Sequence, residues 1–171
     1  MYHPEGYKKL LTWQQGMEIY QLTKDFTAKY LDPIKDARLI AHMNDEARSV
    51  PQNIAEGNKR GNTRAYLDFL GFSRASNEEL KGDYEELKRE YKEGIRKVKI
   101  GKNKEQIGKN KEEMIREIDE ILTKIYGEDC MLGRQIAGLE KRFVAKGSEQ
   151  EKLSNSRKDC LKKQISDWNR W

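Results

Sequence analysis

Apolar residues at alternating steps of three and four positions are the feature that most constrains this fold, and they are clearest at Ile40, Met43, Ala47, Val50 and Ile54. This spacing puts the side chains on one face of an α-helix and is typical of a seam between packed helices. Comparable patterns predict helices over about residues 7–30, 33–57, 63–91 and 113–143. No segment has a convincing strand pattern. We therefore predict an all-α protein, an antiparallel up-down four-helix bundle.

Local signals predict where the second and third helices begin. Asp32 can accept hydrogen bonds from free N–H groups, and Pro33 suits the first helical position, so the second helix is expected to start there. Pro51 falls within the same apolar pattern and predicts a kink rather than a break. Asn62 is expected to cap the third helix, whose stripe is interrupted after Leu70 by small residues.

The first helix carries two apolar stripes on nearly opposite faces. One comprises Leu10, Trp13, Met17 and Tyr20, and the other comprises Ile19, Leu22, Phe26 and Tyr30. A helix with two apolar faces has to bury both. Either one face packs against a neighbouring chain, or a bend near Gly16 aligns the two stripes.

The positive charge is concentrated in a linker and a tail. The net formal charge is +5 overall, with +6 in residues 92–111 and +5 in residues 141–171, so the rest of the chain carries −6. Within the first basic segment, Ile100–Glu105 is repeated as Ile107–Glu112. Its Gly, Asn and Lys residues disfavour a stable helix and indicate a mobile linker or a fraying helix start. We predict a bundle over residues 1–146 that contains a flexible basic linker at 92–112, and a C-terminal tail at 147–171.

A specific combination of residues resembles a known family. Val50-Pro51-Gln52-Asn53-Ile54-Ala55-Glu56-Gly57, followed by Arg60, Arg64, Phe69-Leu70 and Glu79-Leu80, is similar to the small four-helix proteins first noted in rRNA intervening sequences. Accessory proteins of diversity-generating retroelements are similar to the same bundle. The segment from Arg134 to Lys158 resembles a subgroup that carries a C-terminal suffix.

The resemblance implies an up-down bundle that assembles into a ring, typically a pentamer, with a basic surface suited to nucleic acid. For the retroelement branch it implies a non-catalytic partner of a reverse transcriptase and its RNA. For the intervening-sequence branch it implies no settled activity, and fold transfers between relatives more safely than function.

A basic cluster near the turn between the second and third helices is the candidate nucleic-acid site. Its residues are Arg48, Lys59, Arg60, Arg64 and Arg74. Clustered positive charge is what phosphate binding needs, although a solvated helix end has the same composition. Because Tyr66 and Phe69 belong to the core stripe, backbone contacts are expected rather than base stacking.

Asn53 and Glu56 form a polar motif one helical turn apart. They could order a partner or ligand, or they could form a structural network at Pro51 in which Arg48 or Arg60 balances Glu56.

The sequence carries no pattern for catalysis, a cofactor or a metal. His42 and Glu46, at i and i+4, could place two ligands on one face, but paired Glu-x-x-His motifs are missing. Neither cysteine has a histidine nearby, and Cys130 is expected in the core. No spanning helix or secretion signal is found, and we expect a cytoplasmic protein with reduced thiols.

These observations favour a non-enzymatic, oligomeric bundle that binds RNA or DNA and acts as an accessory to a polymerase or reverse transcriptase. The alternative is a protein–protein adaptor that recruits a partner through its basic linker and its Trp-ended tail, without nucleic acid.

Overall fold

The computed structural model of the chain describes residues 5–60, 62–97 and 104–144, together with residues 152, 153 and 156. These residues form a short 3-10 turn and four α-helices, and no strand occurs among them. The turn is Gly6–Lys9, and the helices are α1 (Leu11–Tyr30), α2 (Ala37–Lys59), α3 (Thr63–Lys92) and α4 (Lys104–Val144). The all-α prediction is confirmed.

The four helices pack in a closed cycle. α1 packs against α2, α2 against α3 and α3 against α4, and α4 completes the cycle by packing on α1. Contacts between neighbouring helices show that they run antiparallel: Ser73 of α3 meets Val50 of α2 while Asp83 meets His42, and Asn77 of α3 meets Ile125 of α4 while Lys88 meets Asp119. This arrangement is the predicted up-down bundle, and it puts the α1–α2 side and the α3–α4 side on opposite faces of the molecule.

α3 buries an unbroken seam, although its apolar residues are interrupted after Leu70. Ser73 and Asn77 occupy the seam positions in the interruption, and both are buried. The Ser73 hydroxyl donates to the Val50 carbonyl at 2.9 Å, and the Asn77 amide donates to the Ile125 carbonyl at 3.0 Å. Burial of a polar group costs free energy unless it is hydrogen-bonded, so these two contacts lower the cost of polar residues in the seam and join α3 to α2 and α4. The Asn77 side-chain oxygen has no hydrogen-bond partner among the described residues.

α1 buries only one of its two stripes. Ile19, Phe26 and Tyr30 lie in the core, and the remainder of the buried face consists of Thr12, Gly16, Thr23 and Thr27. In the other stripe Met17 is exposed, whereas Trp13 and Tyr20 are half-buried along α2. The stripe that contains Ile19, Phe26 and Tyr30 therefore belongs to this chain's own core, whereas the stripe that contains Trp13, Met17 and Tyr20 lies at the surface beside α2.

The predicted start of α2 is wrong by one turn. The Asp32 carboxylate does accept hydrogen bonds, at 2.9 Å, from the Ile34 and Lys35 N–H groups. Those bonds form a turn, and the Asp36 carboxylate closes it by accepting from the Asp32 N–H at 2.8 Å. The helix itself begins at Ala37, because the aspartate satisfies the backbone locally instead.

Two other sequence predictions agree with the structure. α2 continues through Pro51, which is buried, so the proline does not break the helix, and the expected kink stays a prediction. Asn62 caps α3, and its side-chain oxygen accepts from the Ala65 N–H at 2.7 Å.

The flexible linker predicted for residues 92–112 is partly helical. α4 begins at Lys104 rather than near Glu113, so the second copy of the duplicated segment lies within the helix. The Lys29 ammonium pairs with Glu113 at 3.0 Å and with Glu117 at 2.5 Å, and Met114 is buried. Tertiary packing therefore overrides the weak local helix preference. Residues 98–103, and the predicted tail apart from positions 152, 153 and 156, lie outside the described residues.

Polar side chains separate the core into two apolar clusters. The larger cluster lies toward the α1–α2 connection and includes Phe26, Met43, Tyr84 and Ile118. The smaller cluster comprises Val50, Ile54, Leu70 and Leu132. Between them along α3 and α4 lie the buried residues Ser73, Asn77 and Glu128.

Candidate nucleic-acid interface

Two of the predicted phosphate-binding residues form ion pairs along their own helices. The Arg60 guanidinium lies 2.5 Å from the Glu56 carboxylate and covers the Phe69 ring, at 5.0 Å from its centroid. The Arg64 Nε lies 3.3 Å from the Asp68 carboxylate. All four charged groups are substantially exposed, so each pair is worth at most about 1 kcal/mol. The turn between α2 and α3 is therefore close to neutral.

Arg74 faces a different side of the molecule from the other candidates. Its Nε and Nη2 atoms lie 2.6 and 3.1 Å from the two carboxylate oxygens of Asp129 on α4. This bidentate pair lowers the pKa of Asp129. Arg74 consequently belongs to the α3–α4 side, and the five predicted residues do not form one patch.

Arg48 and Lys59 share the face of α2 that borders α1. They are eleven positions apart, which is about three helical turns. The Arg48 Nε donates to the Gln52 side chain at 3.4 Å, and the Lys59 ammonium lies 5.2 Å from the centroid of the Tyr7 ring. These are the two predicted residues that the fold aligns on one surface.

A shallow groove follows the boundary between α1 and α2. We call it the α1–α2 groove, and its lining includes Tyr7, Trp13, Met17, Tyr20, Lys24, Arg48, Gln52 and Asn44. None of the described residues that line it is acidic. Its charge is therefore positive, whereas Arg60, Arg64 and Arg74 on other parts of the surface are each paired with a carboxylate.

Aromatic rings alternate with the cations of this groove. The Tyr7 and Trp13 rings meet edge to face with their centroids 5.5 Å apart, and the Lys24 ammonium lies 5.7 Å from the Tyr20 centroid. Sequence reasoning missed this arrangement because it considered only Tyr66 and Phe69 among the aromatic residues near the arginines, whereas Trp13 packs against the edge of the smaller core cluster. The available signal was the stripe of Leu10, Trp13, Met17 and Tyr20, which lies nearly opposite the buried stripe of α1.

The Asn53–Gly57 motif is built for packing between α2 and α3. A Cβ atom on Gly57 would come within 2.7 Å of the Phe69 Cβ and within 2.9 Å of the Tyr66 ring, so only glycine permits this approach. Arg60, rather than Arg48, balances Glu56. Asn53 is half-buried on the same helix. The geometry therefore favours the structural interpretation of this motif over a ligand site.

Glu128 is a buried acid that the sequence analysis did not single out. Its side chain is 0% exposed, and neither carboxylate oxygen has a hydrogen-bond partner among the described residues. Burial raises its pKa to about 8, because the charged form is poorly solvated in the core. The signal was its position, three residues after Ile125 and four before Leu132, in the seam of α4.

Two remaining sequence predictions concern a thiol and the membrane. Cys130 is exposed, so its predicted place in the core is wrong. None of the described helices is long and apolar enough to cross a membrane.

Comparison with known proteins identifies the family. A family model described as 23S rRNA-intervening sequence protein matches residues 8–127, which include α1, α2, α3 and the first part of α4. The matched range contains the Gly57 motif and all of the α1–α2 groove lining except Tyr7, whereas the whole suffix-like segment lies beyond it. No curated protein matches the sequence. With more than half of its length matched, this chain belongs to the 23S rRNA-intervening sequence protein family.

Proposed function

We propose that this chain is a non-enzymatic, self-associating bundle that binds single-stranded RNA in the α1–α2 groove. The observation that carries the proposal is the groove itself, where Arg48 and Lys24 alternate with tyrosine and tryptophan rings and no described lining residue is acidic, while Lys59 lies over the Tyr7 ring at one end of it. Cationic grooves with stacking platforms are the usual means of holding single strands without sequence preference.

In this proposal the cations and the rings have separate roles. Arg48, Lys24 and Lys59 contact phosphates, while the exposed parts of Trp13 and Tyr20 stack on bases. From Trp13 to Ala28 the groove follows α1 for about 22 Å, at 1.5 Å per residue. That length suits a short single-stranded segment. The family description, which refers to rRNA, supports RNA as the nucleic acid.

Arg60, Arg64 and Arg74 have a secondary part in the proposal. Each is already paired with a carboxylate, so its contact with a phosphate would replace an existing ion pair and yield less free energy. A reverse transcriptase or other polymerase remains the proposed partner protein, on the basis of the resemblance to retroelement accessory proteins.

Binding of a fluorescent single-stranded RNA, measured by anisotropy at two salt concentrations, tests the groove. We expect the double variant Arg48→Glu/Lys59→Glu to lose at least about tenfold in affinity and about 1.4 units of the logarithmic salt dependence, since each phosphate contact on single strands contributes about 0.7. The matched control is Lys92→Glu/Arg116→Glu, which makes the same charge change at exposed positions outside the groove.

Equal affinity losses in both double variants would show a dependence on net charge alone and would contradict the groove. Absence of RNA binding by the wild-type chain would favour the adaptor alternative. The adaptor predicts that deletion of residues 147–171 abolishes partner recovery while the bundle stays folded.

A further inference from the structure

Three carboxylates face one histidine across the boundary between α2 and α3. The His42 Nδ1 lies 2.8 Å from Asp83 Oδ2, and its Nε2 lies 3.7 Å from Glu79 Oε2. Glu46 follows His42 by one helical turn on α2. Among the described residues, no lysine or arginine forms an ion pair with Glu46, Glu79 or Asp83. This surface therefore holds more negative charge than its own cations balance.

We propose that His42, Glu46 and Glu79 bind a divalent transition-metal ion, with Zn²⁺ the best match. One ligand atom from each residue lies within 4.8 Å of the other two. Zinc bonds of 2.0–2.2 Å in tetrahedral geometry require ligand atoms to be about 3.3–3.6 Å apart. Small rotations of the exposed Glu79 and the half-buried Glu46 close that difference, and one imidazole with carboxylates is a ligand set that zinc accepts.

Asp83 has a positioning role in this site. Histidines that bind metals usually donate their other ring N–H to a carboxylate, which fixes the tautomer and the ring orientation. The 2.8 Å contact from Nδ1 to Asp83 supplies that bond, and it leaves Nε2 on the side of Glu79. The unpaired carboxylates supply the charge that draws in a cation.

The site would connect α2 to α3, because His42 and Glu46 lie on α2 and Glu79 lies on α3. Bound zinc then stabilises the bundle, because the unfolded chain does not hold these ligands together.

Calorimetric titration of the tag-free, chelator-stripped full chain with ZnCl₂ tests the proposal. All proteins carry Cys130→Ser and Cys160→Ser, because thiols bind zinc independently of this site. The site variants are His42→Ala, Glu79→Gln and Asp83→Asn. The matched control is Glu78→Gln, an exposed acid on the same helix that pairs with Lys81 instead.

We expect one zinc ion per chain, an affinity about 10- to 100-fold lower for Asp83→Asn, and a larger loss for His42→Ala, with no change for Glu78→Gln. Zinc should also raise the Tm of the parent protein but not that of His42→Ala. Because each protein is compared with itself with and without zinc, this result can be read even where a variant is less stable. Zinc uptake that His42→Ala and Glu79→Gln leave unchanged, or no uptake by the parent protein, overturns the proposal.

Discussion

Gly57 shows how a single residue can determine the packing of two helices. The Phe69 and Tyr66 side chains of α3 occupy the space where a Cβ atom would lie. α3 can therefore approach α2 closely only because position 57 carries no side chain. This contact explains why glycine completes the most specific motif of the sequence.

We predict that Gly57→Ala destabilises the protein by about 1–3 kcal/mol, since a well-packed contact has to move aside for the added methyl group. Gly82→Ala is the matched control, because Gly82 is exposed on α3 and the space that its new methyl group would enter is open. That control should gain about 0.5–1 kcal/mol from improved helix propensity. Urea unfolding of both variants checks the pair, and a neutral or stabilising Gly57→Ala would contradict the packing account.

Glu128 is a single residue that makes the folding stability of the protein depend on pH. Its pKa is about 8 in the folded chain, against 4.5 for an ordinary glutamate. Between those values the unfolded chain releases the proton and the folded chain keeps it, so stability falls as the pH rises. Below pH 4.5 both states are protonated, and above about pH 8 both are ionised, so the slope vanishes outside this window.

We therefore predict that Glu128→Gln stabilises the protein increasingly as the pH rises from about 5 to about 8, by up to roughly tenfold in the folding equilibrium constant per pH unit. The comparison between variant and wild type isolates Glu128, because the raised pKa of His42 affects both proteins equally. Urea unfolding near the two ends of that pH range measures the effect, with exposed Glu140→Gln as the control. Parallel pH profiles for wild type and Glu128→Gln would show that Glu128 is not held neutral.

At the scale of the helix, apolar spacing predicted which residues face the core where those residues are apolar. It failed to predict the core-facing positions that polar residues occupy. The stripe of α2 was recognised because all of its members are apolar. In α1 the seam positions Thr12, Gly16, Thr23 and Thr27 are polar or small, and in α3 Ser73 and Asn77 are polar. Hydrogen bonds to other helices make those positions stable, and such partners cannot be identified from one helix alone.

The candidate surfaces also show that the spacing of residues in one helix does not predict which residues of a neighbouring helix lie opposite them. His42 and Glu46 were recognisable as one face of α2, but Glu79 and Asp83 join them only through the packing of α3. Likewise, the cluster of arginines predicted from proximity in sequence is divided once Asp129 on α4 attracts Arg74. Spacing along one helix predicts which side chains share a face, whereas the charge opposite them depends on the fold.

For the whole molecule, the described surface contains an apolar residue that the bundle leaves uncovered. Phe72 is 58% exposed on the outer side of α3, where its ring contacts Phe69 at 5.8 Å between centroids. Gly71 and Ala75 beside it are also exposed, and small residues let another helix approach closely. This part of α3 is the surface that we assign to self-association, and the resemblance supplies the expectation of a pentameric ring.

Light scattering coupled to size exclusion measures the assembly directly. We predict a mass several times the 20.1 kDa of one chain for the wild type, about fivefold for the ring expected from the resemblance. Phe72→Glu should reduce it toward a single chain, because an interface cannot bury the new charge without a partner. Ile34→Glu is the matched control, since Ile34 is 87% exposed in the turn before α2 and away from this surface. A wild-type mass of one chain would contradict self-association, whereas an assembly that Phe72→Glu leaves intact would move the interface to another face of the bundle.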